Sequence, residues 1–185
     1  DELYQNGTAR ISSGALAAKM GLTASQVRQD FNCFGGFGQQ GYGYNVENLR
    51  ASIREILKLD CSHKAIIIGV GNLGRALMTN FNFGQSGFAL AAAFDVKKEL
   101  QGIQVAGVPV LSMESLQDYV EHKRPDIAIL TLPRQFASQV AADLCKWGIR
   151  GIWNFTGVDL HLDGLEVPVE NVHFSESLMT LSYRI

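Results

Sequence analysis

The stretch "AIIIGVGNLGRAL", Ala65 to Leu77, restricts what this chain can fold into more than any other. It reads as an apolar strand, a glycine turn and the start of a helix. Gly69, Gly71 and Gly74 follow the spacing GxGxxG between strand and helix, the context in which that otherwise weak motif gains meaning. Each glycine has its own physical reason. Gly69 allows the tight turn, Gly71 lets the backbone approach a pyrophosphate, and Gly74 lets the helix pack closely on the sheet. The helix N-terminus adds free N–H groups and the positive end of a dipole. A second apolar run, "FALAAAFD", ends in Asp95, placed to accept from the hydroxyls of an adenosine ribose and to repel a 2′-phosphate. This favours NAD(H) over NADP(H), although Lys97 and Lys98 follow closely and soften the preference. The alternative is a Rossmann-like domain whose glycines serve packing alone.

Around this unit the pattern alternates strand and helix. "KAIIIGV" (64–70), "FALAAAFD" (88–95), "VPVL" (108–111), "IAILT" (127–131) and "GIWNF" (151–155) are short apolar runs, separated by helix-like stretches at 73–80, 112–123 and 135–147. Near-continuous apolar strands alternating with helices predict a parallel sheet covered on both faces. With 185 residues, 46% of them hydrophobic and 18% charged, the chain can bury a proper core. The expected boundary between two domains lies at 58–64, in the polar "KLDCSHK". No apolar run approaches the ~20 residues of a membrane span. Cys33, Cys61 and Cys145 are far apart, odd in number and without CxxC spacing. They predict no disulfide framework and no metal site, three small packed apolar residues, and a reducing cytoplasm. The chain opens at Asp1 without a methionine, in a stretch patterned like a helix entered partway, so a missing N-terminus is expected.

The sequence does not predict an enzyme. No HExxH, GxSxG or acid–base constellation is present. His63 and His122 sit in polar segments expected to be exposed, His161 lies in a turn-rich stretch and His173 near the last strand. The dinucleotide is expected to be read rather than used as a reagent.

Residues 11–34, "ISSGALAAKMGLTASQVRQDFNCF", carry two helix signatures around a tight turn. Ser12 or Ser13 can cap the first helix and Gly21 can end it. Thr23 and Gln26 form a capping box for the second. There Val27, Phe31 and Phe34 are expected to form the buried face. Ser25, Arg28, Gln29 and Asn32 share the opposite face and can hydrogen-bond base edges and phosphates. This is a helix-turn-helix pattern. The following "FGGFGQQGYGYN" fits a small hairpin, or wing, beside the recognition helix. Asn45 can cap a third helix carrying Leu49, Ile53, Ile56 and Leu57. Charge gives little support: residues 1–58 hold six Lys and Arg against five Asp and Glu, and the whole chain is at −2, whereas DNA readers are usually more basic. A helical hairpin that merely caps the nucleotide domain is the competing reading.

Taken together, the helix-turn-helix segment, the Phe-Gly…Gly-Tyr-Gly-Tyr wing, "GVGNLGRAL", "AAFDV", "AILTLP", "GIWNF" and "TLSY", in this order, resemble the Rex family of bacterial redox-sensing repressors. The resemblance covers essentially the whole chain. It implies an α/β fold with an N-terminal winged helix-turn-helix domain (1–60), a Rossmann-like parallel-sheet NAD(H)-binding domain (61–174) and a C-terminal helix (175–185) swapped onto the partner of a homodimer. It implies palindromic operator DNA as the partner, released as the NADH/NAD+ ratio rises. The cofactor residues it implies are Gly69, Val70, Gly71, Asn72, Leu73, Gly74 and Asp95. Thr131, Leu132 and Pro133 would lie beside the nicotinamide, with Asn154 and Phe155 as a wall. The DNA-facing residues are Ser25, Arg28, Gln29, Asn32, Gln39 and Gln40, with Arg28 reading the operator. Several positions depart from the family. Gln29 stands where a lysine is common and Gln39 and Gln40 where a basic pair is common, which should weaken phosphate attraction. Many relatives carry an acid at His173, able to pair with the arginine matching Arg10. Gly157 replaces a common proline. The readings from other classes are a small NAD-dependent oxidoreductase and a CoA-binding Rossmann protein, each with a helical cap.

Overall fold

A computed structural model describes residues 1–35, 42–162, 164 and 166–185, together with the backbone of 38–39. The chain divides into two compact units, Asp1–Asp60 and Cys61–Ile185.

The first unit runs α1 (Glu2–Gln5), β1 (Arg10–Ile11), α2 (Ser13–Met20), α3 (Ala24–Cys33), β2 (Gly38–Gln39), β3 (Gly43–Asn45) and α4 (Val46–Ile56). Local chemistry sets the helix ends. Ser12 Oγ accepts from Ala15 N–H at 3.1 Å to start α2, and Gly21, at φ 66°, ends it. Thr23 and Gln26 close the capping box of α3, and Asn45 Oδ1 accepts from Asn48 N–H to start α4. β2 and β3 form an antiparallel hairpin, and β1 joins β3 to make a three-stranded sheet in the order β1-β3-β2. Leu16 and Ala17 of α2, Val27 of α3, Tyr44 and Leu49 bury one small core, with the Phe31 ring edge-on to Tyr44 at 5.0 Å. This is a winged helix-turn-helix. Phe34 departs from expectation. It is the C-cap of α3, where the backbone has left helical geometry, and its ring is 57% exposed. In α4, Leu49 and Ile53 join the core, while Ile56 and the C-cap Leu57 stay exposed.

The second unit runs β4 (His63–Ile68), α5 (Asn72–Asn80), β5 (Phe88–Asp95), β6 (Gln104–Val105), β7 (Val108–Ser112), α6 (Leu116–Lys123), β8 (Ile127–Leu130), α7 (Ala137–Lys146), β9 (Gly151–Asn154), β10 (Val169–Asn171) and α8 (Phe174–Arg184). Its sheet has the order β10-β9-β8-β4-β5-β7-β6, parallel throughout except for the edge strand β6. Side chains alternate across it. Ile66, Ile68, Phe94 and Leu130 pack with Leu116 and Val120 of α6 and Leu144 of α7. Ala65, Ile67, Ala93 and Ile129 face the other way, towards Met78 of α5 and Phe83. Burial on both faces explains why these strands read as unbroken apolar runs.

The cysteines correct the expectation of three packed thiols: Cys33 and Cys61 are exposed, and Cys145 alone is half-buried against the core. His63 opens β4 and is half-buried, 5.6 Å from the Phe88 ring, rather than lying in an exposed segment. No described residue of α8 is buried, and Phe174, Leu178, Leu181 and Tyr183 are exposed on it. Among the described residues no helix is long and apolar enough to cross a membrane.

Candidate functional site

The glycine turn joins β4 to α5 at the carboxyl end of the sheet, where open α/β sheets hold their ligands. The three glycines separate into two kinds. A Cβ on Gly69 would stand 2.8 Å from the Thr131 carbonyl oxygen, and Gly69 itself sits at φ +98°. A Cβ on Gly74 would collide with the carbonyl oxygen of Gly69 and stand 2.9 Å from Thr131 Oγ1. Packing therefore requires both. Gly71 has an ordinary backbone (φ −73°, ψ −164°) and a Cβ there would meet nothing within 4 Å. It caps α5 without any side-chain hydrogen bond, so no capping side chain satisfies the first N–H groups of that helix. Among the described residues, packing accounts for the glycines at 69 and 74 but not for the one at 71.

Asp95, at the end of β5, is buried and holds the turn. Its Oδ2 accepts from Val70 N–H at 2.6 Å and its Oδ1 from Lys97 N–H at 2.8 Å. Thr131, just past β8, locks the turn from the other side: Oγ1 donates to Gly69 O at 2.7 Å. Arg75 Nε, in the first turn of α5, donates to Val70 O at 3.2 Å. Gly69, Gly71, Asp95, Thr131, Leu132 and Pro133 line one cleft of about 670 Å³, a size suited to a cofactor. Val70 is buried beneath it, Gly74 is buried in the packing of α5, Asn72 is exposed and Leu73 half-buried. Met113 and Phe136 also line the cleft, and no motif marks them in the sequence.

Asn154 and Phe155 are placed differently. Asn154 is 1% exposed, and its amide is fully engaged: Nδ2 donates to Val158 O at 2.6 Å and to Asn171 Oδ1 at 2.8 Å, while Oδ1 accepts from Thr156 N–H and Oγ1. It ties the loop after β9 to β10. Phe155 stands in a row of rings, 4.6 Å from Trp153 and 6.2 Å from Phe174. Neither lines the cleft. His173 Nε2 pairs with Asp159 Oδ1 at 2.8 Å, and Arg10 donates to Tyr42 O at 3.3 Å.

In the first unit, Ser25, Arg28, Gln29 and Asn32 line one shallow groove along α3, joined by Cys33. Arg28, Gln29 and Asn32 are exposed on it. Arg28 Nη1 donates to Ser13 Oγ at 3.2 Å, which braces it against the start of α2. The backbone of Gln39 lies in β2 of the wing; its side chain and Gln40 lie outside the described residues.

A family model described as a CoA binding domain matches residues 60–158, and one described as a DNA-binding protein N-terminus matches residues 1–32. The redox-sensing transcriptional repressor Rex of Thermoanaerobacter pseudethanolicus is 48% identical over 185 residues, all of this chain and 82% of the relative. The chain belongs to the Rex family. Rex of Clostridium perfringens (strain 13) is 47% identical over 98% of this chain and 85% of its own length. Among solved structures, the Rex-family repressor RSP in complex with β-NAD+ and operator DNA aligns at a TM-score of 0.90. It is 48% identical, covering 99% of this chain and 84% of that one. RSP in complex with β-NADH aligns at 0.89 with 44% identity, over 99% and 85% of the two chains. The Rex match spans both units, whereas the CoA binding family description covers only the residues from the end of the first unit through the loop after β9.

Proposed function

We propose that the protein is a redox-sensing transcriptional repressor, a regulator rather than an enzyme, that binds operator DNA and is released from it by NADH. The observation that carries the reading is the near-complete alignment, 99% of the chain at a TM-score of 0.90, with a repressor solved together with β-NAD+ and operator DNA. The residues of this chain fit both ligands. Gly71 leaves the α5 N-terminus open to a pyrophosphate, and those unpaired N–H groups would bind it. Leu132 and Pro133 give the neighbouring wall an apolar character, which makes burial of a positively charged oxidised nicotinamide more costly than burial of the neutral reduced ring. The bound dinucleotide thus supplies a charge difference and the wall discriminates by it. On the first unit, Arg28 reads base edges with Ser25, Gln29 and Asn32 beside it, and Gln39 and Gln40 contact the flanking DNA backbone.

A homodimer with two such helices would read a palindromic operator. The exposed apolar side chains of α8 (Phe174, Leu178, Leu181) supply a surface for the second copy. The partners are this DNA and a second chain, with no membrane and no metal, and the setting is the cytoplasm.

The test is fluorescence anisotropy of the protein on the operator of the RSP complex. Addition of NADH should release the DNA, while NAD+ at the same concentration should leave it bound. The match to the CoA binding domain family supports one competing reading, so coenzyme A is titrated in parallel. Release by coenzyme A and not by NADH would replace the redox reading with that one.

A further inference from the structure

The cleft carries a charge arrangement that bears on which dinucleotides it admits. A carboxylate at the end of the second strand excludes a 2′-phosphate when its charge faces the ribose unopposed. Here Asp95 is only 8% exposed, and each of its oxygens already accepts a backbone N–H, from Val70 at 2.6 Å and from Lys97 at 2.8 Å. Its charge is partly compensated by those donors, which hold it towards the glycine turn. The same turn brings Lys97 to the wall of the cleft. Gln101 Nε2 donates to the Asp95 carbonyl at 3.2 Å and ties the end of β5 to the segment that follows Lys97. Among the described residues the Lys97 ammonium has no ion-pair partner, and neither has that of Lys98. Glu99 is exposed in the same segment but does not line the cleft. Asp95 and Lys97 are thus the charged residues among those lining the cleft, and Lys97 is exposed to solvent there.

We propose that this cleft also admits the 2′-phosphorylated dinucleotide NADPH, with Lys97 as the residue that sets the discrimination between NADH and NADPH. The ammonium offsets the repulsion that Asp95 exerts on a 2′-phosphate and gives that phosphate a partner. The inference rests on the reading of the cleft as a dinucleotide site. NADH remains the tighter ligand, because Lys97 offsets the repulsion between Asp95 and a 2′-phosphate only in part. The gap is narrow.

Titration calorimetry of the full chain with NADH and with NADPH tests this, on the unaltered protein and on K97A and K97D. The unaltered protein should bind NADPH roughly tenfold more weakly than NADH. In K97D the affinity for NADPH should fall at least tenfold more than the affinity for NADH, with K97A between the two. Urea unfolding of each variant shows whether the turn is intact. NADPH binding about a thousandfold weaker than NADH in the unaltered protein, or a gap that ignores residue 97 in folded variants, overturns the proposal. Failure of both nucleotides to bind is a different result: it removes the dinucleotide reading itself, and the inference with it.

Discussion

Gly71 and Gly74 differ by three positions in the sequence and should respond oppositely to the same change. Alanine at 71 meets no protein atom within 4 Å, and φ −73° is open to any residue. Loss of a glycine N-cap costs a few tenths of a kcal/mol up to about 1, and the stiffer unfolded chain returns about 0.4–1 kcal/mol. G71A should therefore leave unfolding free energy within ~0.5 kcal/mol of the original. Its methyl group, however, occupies the space over the α5 N-terminus, and NADH affinity should fall by roughly ten- to a hundredfold, about 1.4–2.7 kcal/mol. G74A drives a methyl group into the Gly69 carbonyl and Thr131 Oγ1, and a backbone carbonyl held by the Thr131 hydroxyl cannot move aside cheaply. It should destabilise the protein by about 1–3 kcal/mol. Urea denaturation and NADH calorimetry on both variants separate the two effects. If G71A binds NADH as well as the original, or unfolds as easily as G74A, the assignment of Gly71 to a pyrophosphate is wrong.

Other residues give further tests. R28A should weaken operator binding by about 1–3 kcal/mol in anisotropy while NADH affinity is unchanged; unaltered operator binding would move recognition away from α3. N154A leaves Val158 O and the Asn171 side chain without their buried partner and should cost at least ~2 kcal/mol in urea unfolding; a neutral result would mean that water replaces the amide. Burial pushes the Cys145 thiol above its ordinary value, while Cys33 and Cys61 are exposed. Peptide mass spectrometry after brief treatment with a thiol reagent near neutral pH should find Cys33 and Cys61 modified and Cys145 intact, and equal labelling of all three would contradict the packing around α7.

The parts of this structure that were legible in the sequence are those set by local chemistry. The caps at Ser12, Thr23 and Asn45, the Gly21 stop and the glycine turn each depend on residues within a few positions of one another. The five central strands were legible because burial on both faces leaves long apolar runs. β6 and β10 were not, since two or three residues at a sheet edge leave no periodic signal. Spacing located Asp95, but its grip on Val70 depends on how closely β4 and β5 lie side by side, which no local pattern encodes. Helical periodicity assigned Phe34 to the buried face of α3, yet the helix ends at Cys33 and the next residue turns outward. Asn154 shows the limit most clearly. Its place at the end of β9 could be read, but the direction of its amide follows from Asn171, seventeen residues later.

The central claim is that the cleft distinguishes the two redox states of one dinucleotide. Moving a two-state repressor from 1:99 to 99:1 takes ~5.5 kcal/mol of differential binding, or about 2.7 kcal/mol from each of two cofactors in a dimer. That corresponds to roughly a hundredfold difference in affinity per site. Calorimetric titration of the purified protein with NADH and with NAD+ measures it without reference to DNA. The account predicts NADH binding tighter than NAD+ by about a hundredfold. Equal affinities for the two would contradict it, because a ligand that does not distinguish the states cannot move the switch.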